Sequence, residues 1–88
     1  MILHIGAREM VSRRDIVAII KYEGLTATKG GRAYLKAVQD RGKLLDICGG
    51  RPGSLVVLQS GACYLSPISA GTLLRRLEED GISTLDMD

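Results

Sequence analysis

The chain predicts an α+β domain, mainly antiparallel sheet with two helices. Three patterns point there. Short alternating or β-branched segments fill residues 1–20, two more flank Ser60-Gly61, and two later stretches repeat apolar residues at helical spacing. With 88 residues, the chain reads as a single domain over 1–88.

Taken in order, "MILHI" alternates Ile2 and His4 against Leu3 and Ile5, the mark of a strand ended by Gly6. "EMVS" (9–12) suits a short second strand, and the β-branched "DIVAII" (15–20) a third, with a helical turn as its rival. "EGLTATKGGR" (23–32), rich in glycine and threonine, reads as a loop. "RAYLKAVQDRG" (32–42) carries an apolar stripe of Leu35 and Val38, joined by Tyr34 and Ala37, and stops at Gly42, as a helix does. "KLLDIC" (43–48), "SLVVLQ" (54–59) and "ACYLS" (62–66) then form a three-stranded meander, with Ser60-Gly61 as a two-residue hairpin turn. Ser69 caps the last helix, where Ala70, Leu73, Leu74 and Leu77 share one face, Arg75, Arg76, Glu78 and Glu79 face out, and Gly81 is the stop. The tail 83–88 is expected to fray.

The meander register follows from that turn. Setting Gln59 across from Ala62 and Cys48 across from Ser54 puts Leu44, Cys48, Val56, Leu58, Cys63 and Leu65 on one face. Leu45, Ile47, Leu55, Val57, Ala62 and Tyr64 then share the other. Both faces are apolar, so each needs a cover. The helices supply one, and the N-terminal strands or a second subunit the other. A chain this short buries only about 60–65 % of its unfolded surface, which makes homo-oligomerisation the economical expectation.

Composition narrows the chemistry. The apolar fraction of 45 % is that of a folded globule. No run reaches the roughly 18 apolar residues that span a membrane, and no signal-peptide pattern opens the chain, so a cytoplasmic location is expected. Residues 1–51 hold ten Lys/Arg against five Asp/Glu, whereas 52–88 hold two against five. The amino-terminal part is therefore +5 and the remainder −3, an asymmetry that suits an anionic partner, although a solvated surface would produce it equally well. Two cysteines and one distant histidine make no metal site. Cys48 and Cys63 are expected to stay reduced, and His4 to pack inside its strand. No convergent acid, base and nucleophile is present and neither full nucleotide-binding glycine pattern occurs; "TKGG" (28–31) and "GGRPG" (49–53) could each cradle a phosphate through backbone N–H groups, but glycines in loops are common and the signal is weak. Neither an enzyme nor a cofactor or small-molecule substrate is expected.

The basic residues read better as a binding surface. Arg13 and Arg14 follow the second strand, Lys29 and Arg32 precede the first helix, and Arg51 stands at the tip of Gly49–Gly53. An arginine on a stiff loop can grip a phosphate oxygen pair, though one contact alone binds DNA weakly and several copies are needed. The competing reading of Arg51 is an exposed loop residue that serves solubility.

"LHIG…VSRRDIVAI" is similar to the start of RemB proteins, and "QDRGKLLDICGGRPGSLVVLQSGACYLSPISAGTLLRRL" to RemA across the helix, the meander and the last helix. Together these segments resemble the RemA/RemB family of small bacterial regulators of extracellular matrix genes, over about residues 2–77. The resemblance implies a LytTR-like fold, a homo-oligomer in the form of a ring, and DNA binding in the control of biofilm matrix operons. RemA-type proteins carry two consecutive arginines at the meander loop as DNA contacts. The first corresponds to Arg51, while Pro52 replaces the second; a further RemA arginine aligns with Asp15, with Arg13 and Arg14 close by. Pro52 and Ser66-Pro67 are more like RemB. The resulting expectation is an oligomeric DNA-binding transcriptional regulator that uses Arg51, Arg13, Arg14 and Arg32. The alternative is an oligomeric protein–protein adaptor that acts with a RemA-like partner without binding DNA.

Overall fold

Two layers of cover enclose a small mixed sheet. The computed structural model describes residues 1–86, with side chains through Glu79. Strands β1 (Ile2–Gly6) and β2 (Glu9–Ser12) form a separate antiparallel hairpin. A 3-10 turn (Arg13–Asp15) leads into β3 (Ile16–Lys21). Helices α1 (Tyr22–Thr26) and α2 (Lys29–Asp40) follow, then β4 (Leu44–Asp46), β5 (Ser54–Leu58), β6 (Cys63–Ser66) and α3 (Ala70–Asp86). The second sheet has the order β3-β5-β6-β4. The fold is α+β with predominantly antiparallel pairing, as expected, but it holds three helices rather than two.

The meander requires correction. β4 does not pair with β5; it lies parallel to β6 at the sheet edge, with Leu44 beside Cys63 and Asp46 beside Leu65. The loop 47–53 instead carries the chain across the sheet, so β5 sits between β3 and β6. The hairpin register is also displaced by one residue. Gln59, Ser60 and Gly61 form a three-residue loop, with Gly61 at φ 91° and its amide donating to the Leu58 carbonyl at 2.9 Å. Because strand side chains alternate, that single step turns β5 over. Leu55 and Val57 share a face with Cys63 and Leu65, against Leu25 of α1 and Val38 of α2. Val56, Leu58 and Tyr64 face the other way, toward Leu3, Ile5, Val11 and Leu73.

Both sheet faces are thus covered within one chain. Of the two covers expected for the second face, the N-terminal strands supply it, joined by α3, and no second subunit is needed there. Two buried serines, paired across β5 and β6, fasten that cover. The Ser66 hydroxyl donates to the Ile5 carbonyl at 2.6 Å and accepts from the Ile68 amide at 3.0 Å; the Ser54 hydroxyl donates to the Ile68 carbonyl at 2.8 Å. Each satisfies its polar atom, as burial demands.

His4 is exposed, not packed: with period two, Leu3 and Ile5 point inward and His4 shares the outer hairpin face with Ile2 and Met10. The segment expected as a loop (23–32) contains all of α1 but Tyr22 and the first turn of α2. Thr28 caps α2 by accepting from the Gly31 amide at 2.9 Å. Gly31 is required by contact, because a Cβ there would overlap the Leu25 carbonyl. At the other end of the chain, α3 continues through Gly81, where a glycine costs helix stability without ending the helix. Of the tail expected to fray, 83–86 are helical and 87–88 lie outside the described residues.

Candidate nucleic-acid interface

Backbone geometry decides where Arg51 stands. The loop that carries it is held by Gly53, whose amide donates to the Ser66 carbonyl at 2.8 Å and whose carbonyl accepts from the Tyr22 amide at 3.2 Å. A Cβ on Gly53 would come within 2.8 Å of the Ile68 carbonyl oxygen, so glycine is needed for close approach. None of Gly49, Gly50 and Gly53 has positive φ, so the loop's path does not rest on the left-handed region. At the other end, the Asp46 carboxylate accepts from the Cys48 amide at 3.0 Å and from the Cys48 thiol at 2.9 Å, and the Gly50 amide donates to the Cys48 carbonyl. Arg51 projects between two anchors.

Its side chain is exposed, and Asp46 is engaged with Cys48 rather than with Arg51. The one ion pair among the described residues joins Lys36 to Asp40, on the exposed face of α2. Arg51 therefore meets solvent as an uncompensated cation. Beside it, a cleft of about 470 Å³ is lined by Lys21, Tyr22, Glu23, Thr26, Arg51, Pro52, Gly53 and Ser69. The antiparallel pairing of Lys21 with Ser54 is what draws the end of β3 to the loop. Sequence reasoning missed Lys21, Tyr22 and Glu23, because thirty positions separate Lys21 from Arg51 and only the β3–β5 register closes that gap.

The other expected site residues are dispersed. Arg13 and Arg14 occupy the 3-10 turn before β3 and, with Met1 and Ile16, line a shallow depression. The Arg14 carbonyl accepts from the Gln59 side chain at 2.8 Å, which fixes this turn at the hairpin end of β5. Arg51 stands at the opposite end. A strand of this length separates the two groups by about 17 Å. Arg32 donates to the Thr26 carbonyl at 2.8 Å, so it tethers α2 to the end of α1 while its charge stays exposed near the cleft. Within one chain the four arginines form two basic ends and no continuous rim.

The cysteines are free thiols, both buried, and the described residues include no group of three or more His, Cys, Asp or Glu placed to hold a metal. Burial, then the hydrogen bond to Asp46 and its charge, push the Cys48 thiol up to about 11 from 9.0. The same contact, given first by the thiol and then by the Cys48 amide, holds the Asp46 carboxyl below its ordinary range. The raised thiol value means its stabilising neutral form is complete below pH 9 and lost as pH rises through about 11. Ellman's reagent at pH 8 should accordingly label the thiols far more slowly in the native protein than in urea, and the urea midpoint should fall between pH 9 and 11. Prompt labelling of Cys48 in the native protein would contradict its placement.

No helix among the described residues is long and apolar enough to cross a membrane. A search of curated proteins returns no match to the chain. Residues 2–77 match the RemA-like family, described as extracellular matrix regulatory protein A-like. That match runs from β1 into α3 and includes the whole four-stranded sheet and the Arg51 loop, and on it the chain belongs to the RemA-like family of extracellular matrix regulators.

Proposed function

We propose that the protein is a non-enzymatic, homo-oligomeric DNA-binding regulator of extracellular matrix genes that holds the phosphate backbone with Arg51. The observation that carries this reading is an exposed guanidinium with no carboxylate partner, at the tip of a loop fastened on both sides. Such a group reaches a phosphate without first breaking an internal contact and without ordering the loop. Arg13 and Arg14 serve as supporting cations at the other end of β3, with Arg32 as a more distant one.

Association is part of the proposal, because one chain offers too few cations for useful DNA affinity. Its support has moved from the covered sheet faces to the exposed apolar residues. Val17, 61 % exposed, sits at an irregularity in the open edge strand β3. Ile2 and Met10 lie on the outer hairpin face and Leu74 on α3. An open edge and scattered apolar side chains are the features that a second copy can cover. A ring of copies would repeat each basic end and turn two separated groups into a series.

Light scattering should give a mass above that of the 9.5 kDa chain at about 100 µM. A gel shift on AT-rich promoter DNA should be strong at low salt and fall steeply as salt rises, because phosphate contacts release counterions. A monomer that fails to shift DNA at low salt would defeat the proposal. The adaptor reading draws on the same split of the cations into two ends. An oligomer that leaves DNA unshifted but retains a RemA-like partner would favour it.

A further inference from the structure

The cleft beside Arg51 has a lining that backbone gripping alone does not use. Lys21 and Arg51 bring two cations to it, and neither forms an ion pair. Glu23 adds a carboxylate that is likewise unpaired. The Thr26 hydroxyl already donates to the Tyr22 carbonyl at 3.2 Å, so its oxygen is left to accept. Tyr22 also lines the recess, half-buried and packed against the core. The Ser69 hydroxyl is occupied at the start of α3, accepting from the Thr72 amide at 3.2 Å. Cations and acceptors thus meet in one recess, and its volume falls within the range of small-molecule sites, roughly 300–1,000 Å³.

We propose that this cleft binds a nucleoside monophosphate, with its phosphate between Lys21 and Arg51 and its hydroxyl or amino donors toward Glu23 and Thr26. The charge pattern selects the class. Two cations favour a phosphate, and the nearby Glu23 carboxylate favours a ligand with several donors of its own, which the DNA backbone lacks and inorganic phosphate supplies only through its P–OH. Because Arg51 would hold either the nucleotide or a DNA phosphate, occupation of the cleft competes with DNA; this consequence rests on the reading of Arg51 given above, whereas nucleotide binding does not.

Two measurements separate the claims. Titration of the full chain with AMP, without DNA, should move the backbone amide NMR signals of Lys21, Tyr22, Glu23, Arg51 and Gly53. Lys21→Ala should weaken that binding about tenfold, as expected for loss of one charged contact. Inorganic phosphate should bind more weakly at the same residues, and free glutamate should leave them unmoved. Equal binding of AMP and phosphate, signals scattered over Arg13, Lys36 and Arg75, or indifference to Lys21→Ala would each overturn the proposal. A gel shift with saturating AMP then tests competition. Undiminished DNA binding by the AMP-loaded protein would overturn the competition while leaving the nucleotide site intact.

Discussion

Arg51→Ala should abolish the low-salt gel shift on every DNA sequence tested, with fold and oligomeric mass unchanged. The side chain is exposed and makes no ion pair among the described residues, so its removal should cost little stability. One charge-assisted hydrogen bond contributes roughly 1.5–3 kcal/mol. In an oligomer the same loss occurs at every copy that touches the duplex, and two or three such losses exceed a hundredfold in affinity. Because phosphate contacts carry no base code, specific and non-specific DNA should lose affinity alike, and the salt dependence should flatten by about one per contact removed. Lys36→Ala is the matched control, since Lys36 is paired with Asp40 on α2, away from the loop. An Arg51→Ala protein that shifts DNA as the parent does would transfer the weight to the adaptor reading.

Gly31→Ala should be the most damaging of the conservative changes, and Gly30→Ala, one residue away, should be harmless or slightly stabilising. A methyl group at position 31 would occupy the space of the Leu25 carbonyl, which is backbone and cannot swing aside. Relief requires α1 and α2 to move apart, which uncovers Leu25 and disturbs its packing with Val38 and Leu55. Overpacking against backbone costs about 3 kcal/mol, a large share of the stability of a domain this size. At position 30 nothing lies within 4 Å of an added Cβ, so the gain from a less flexible unfolded chain, about 0.5 kcal/mol, stands alone. Urea unfolding followed by circular dichroism should therefore separate the two variants by more than 1 M in midpoint. Equal midpoints would mean that the two helices are not in the contact described.

Local pattern carried the elements better than it carried their neighbours. Alternation in "ILHIG" marks β1 because Leu3 and Ile5 are buried on one face, and the β-branched run "IVAII" marks β3, whose Ile19 and Ile20 pack on opposite sides of the sheet. The five residues of α1 carry no such signal: "YEGLT" includes a glycine and a threonine, and tertiary contact through Leu25 holds it helical. The parallel placement of β4 was hidden for a different reason. Chain proximity favours pairing with the next strand, and nothing in "KLLDIC" says that the loop 47–53 crosses the sheet. The turned-over β5 came from reading Ser60-Gly61 as a two-residue turn when Gln59 belongs to the loop as well. Arg51 was legible because glycines and a proline isolate it from any element. The cleft was not, since Lys21 and Ser69 reach it only through the β3–β5 register and the close approach of Gly53 to Ile68.

The two halves of the Arg51 loop are built to different tolerances, which gives the protein an adjustable arm. Gly49 and Gly50 face open space and are outside the left-handed region, so larger residues fit there without strain. Gly53 admits no side chain at all. Size and charge at the tip can therefore drift between relatives, or be changed by design, while the hinge at Gly53 stays fixed in the fold. Side chains added at positions 49 and 50 would change the surroundings of the cation and leave Tyr22, Ser66 and Ile68 where they are.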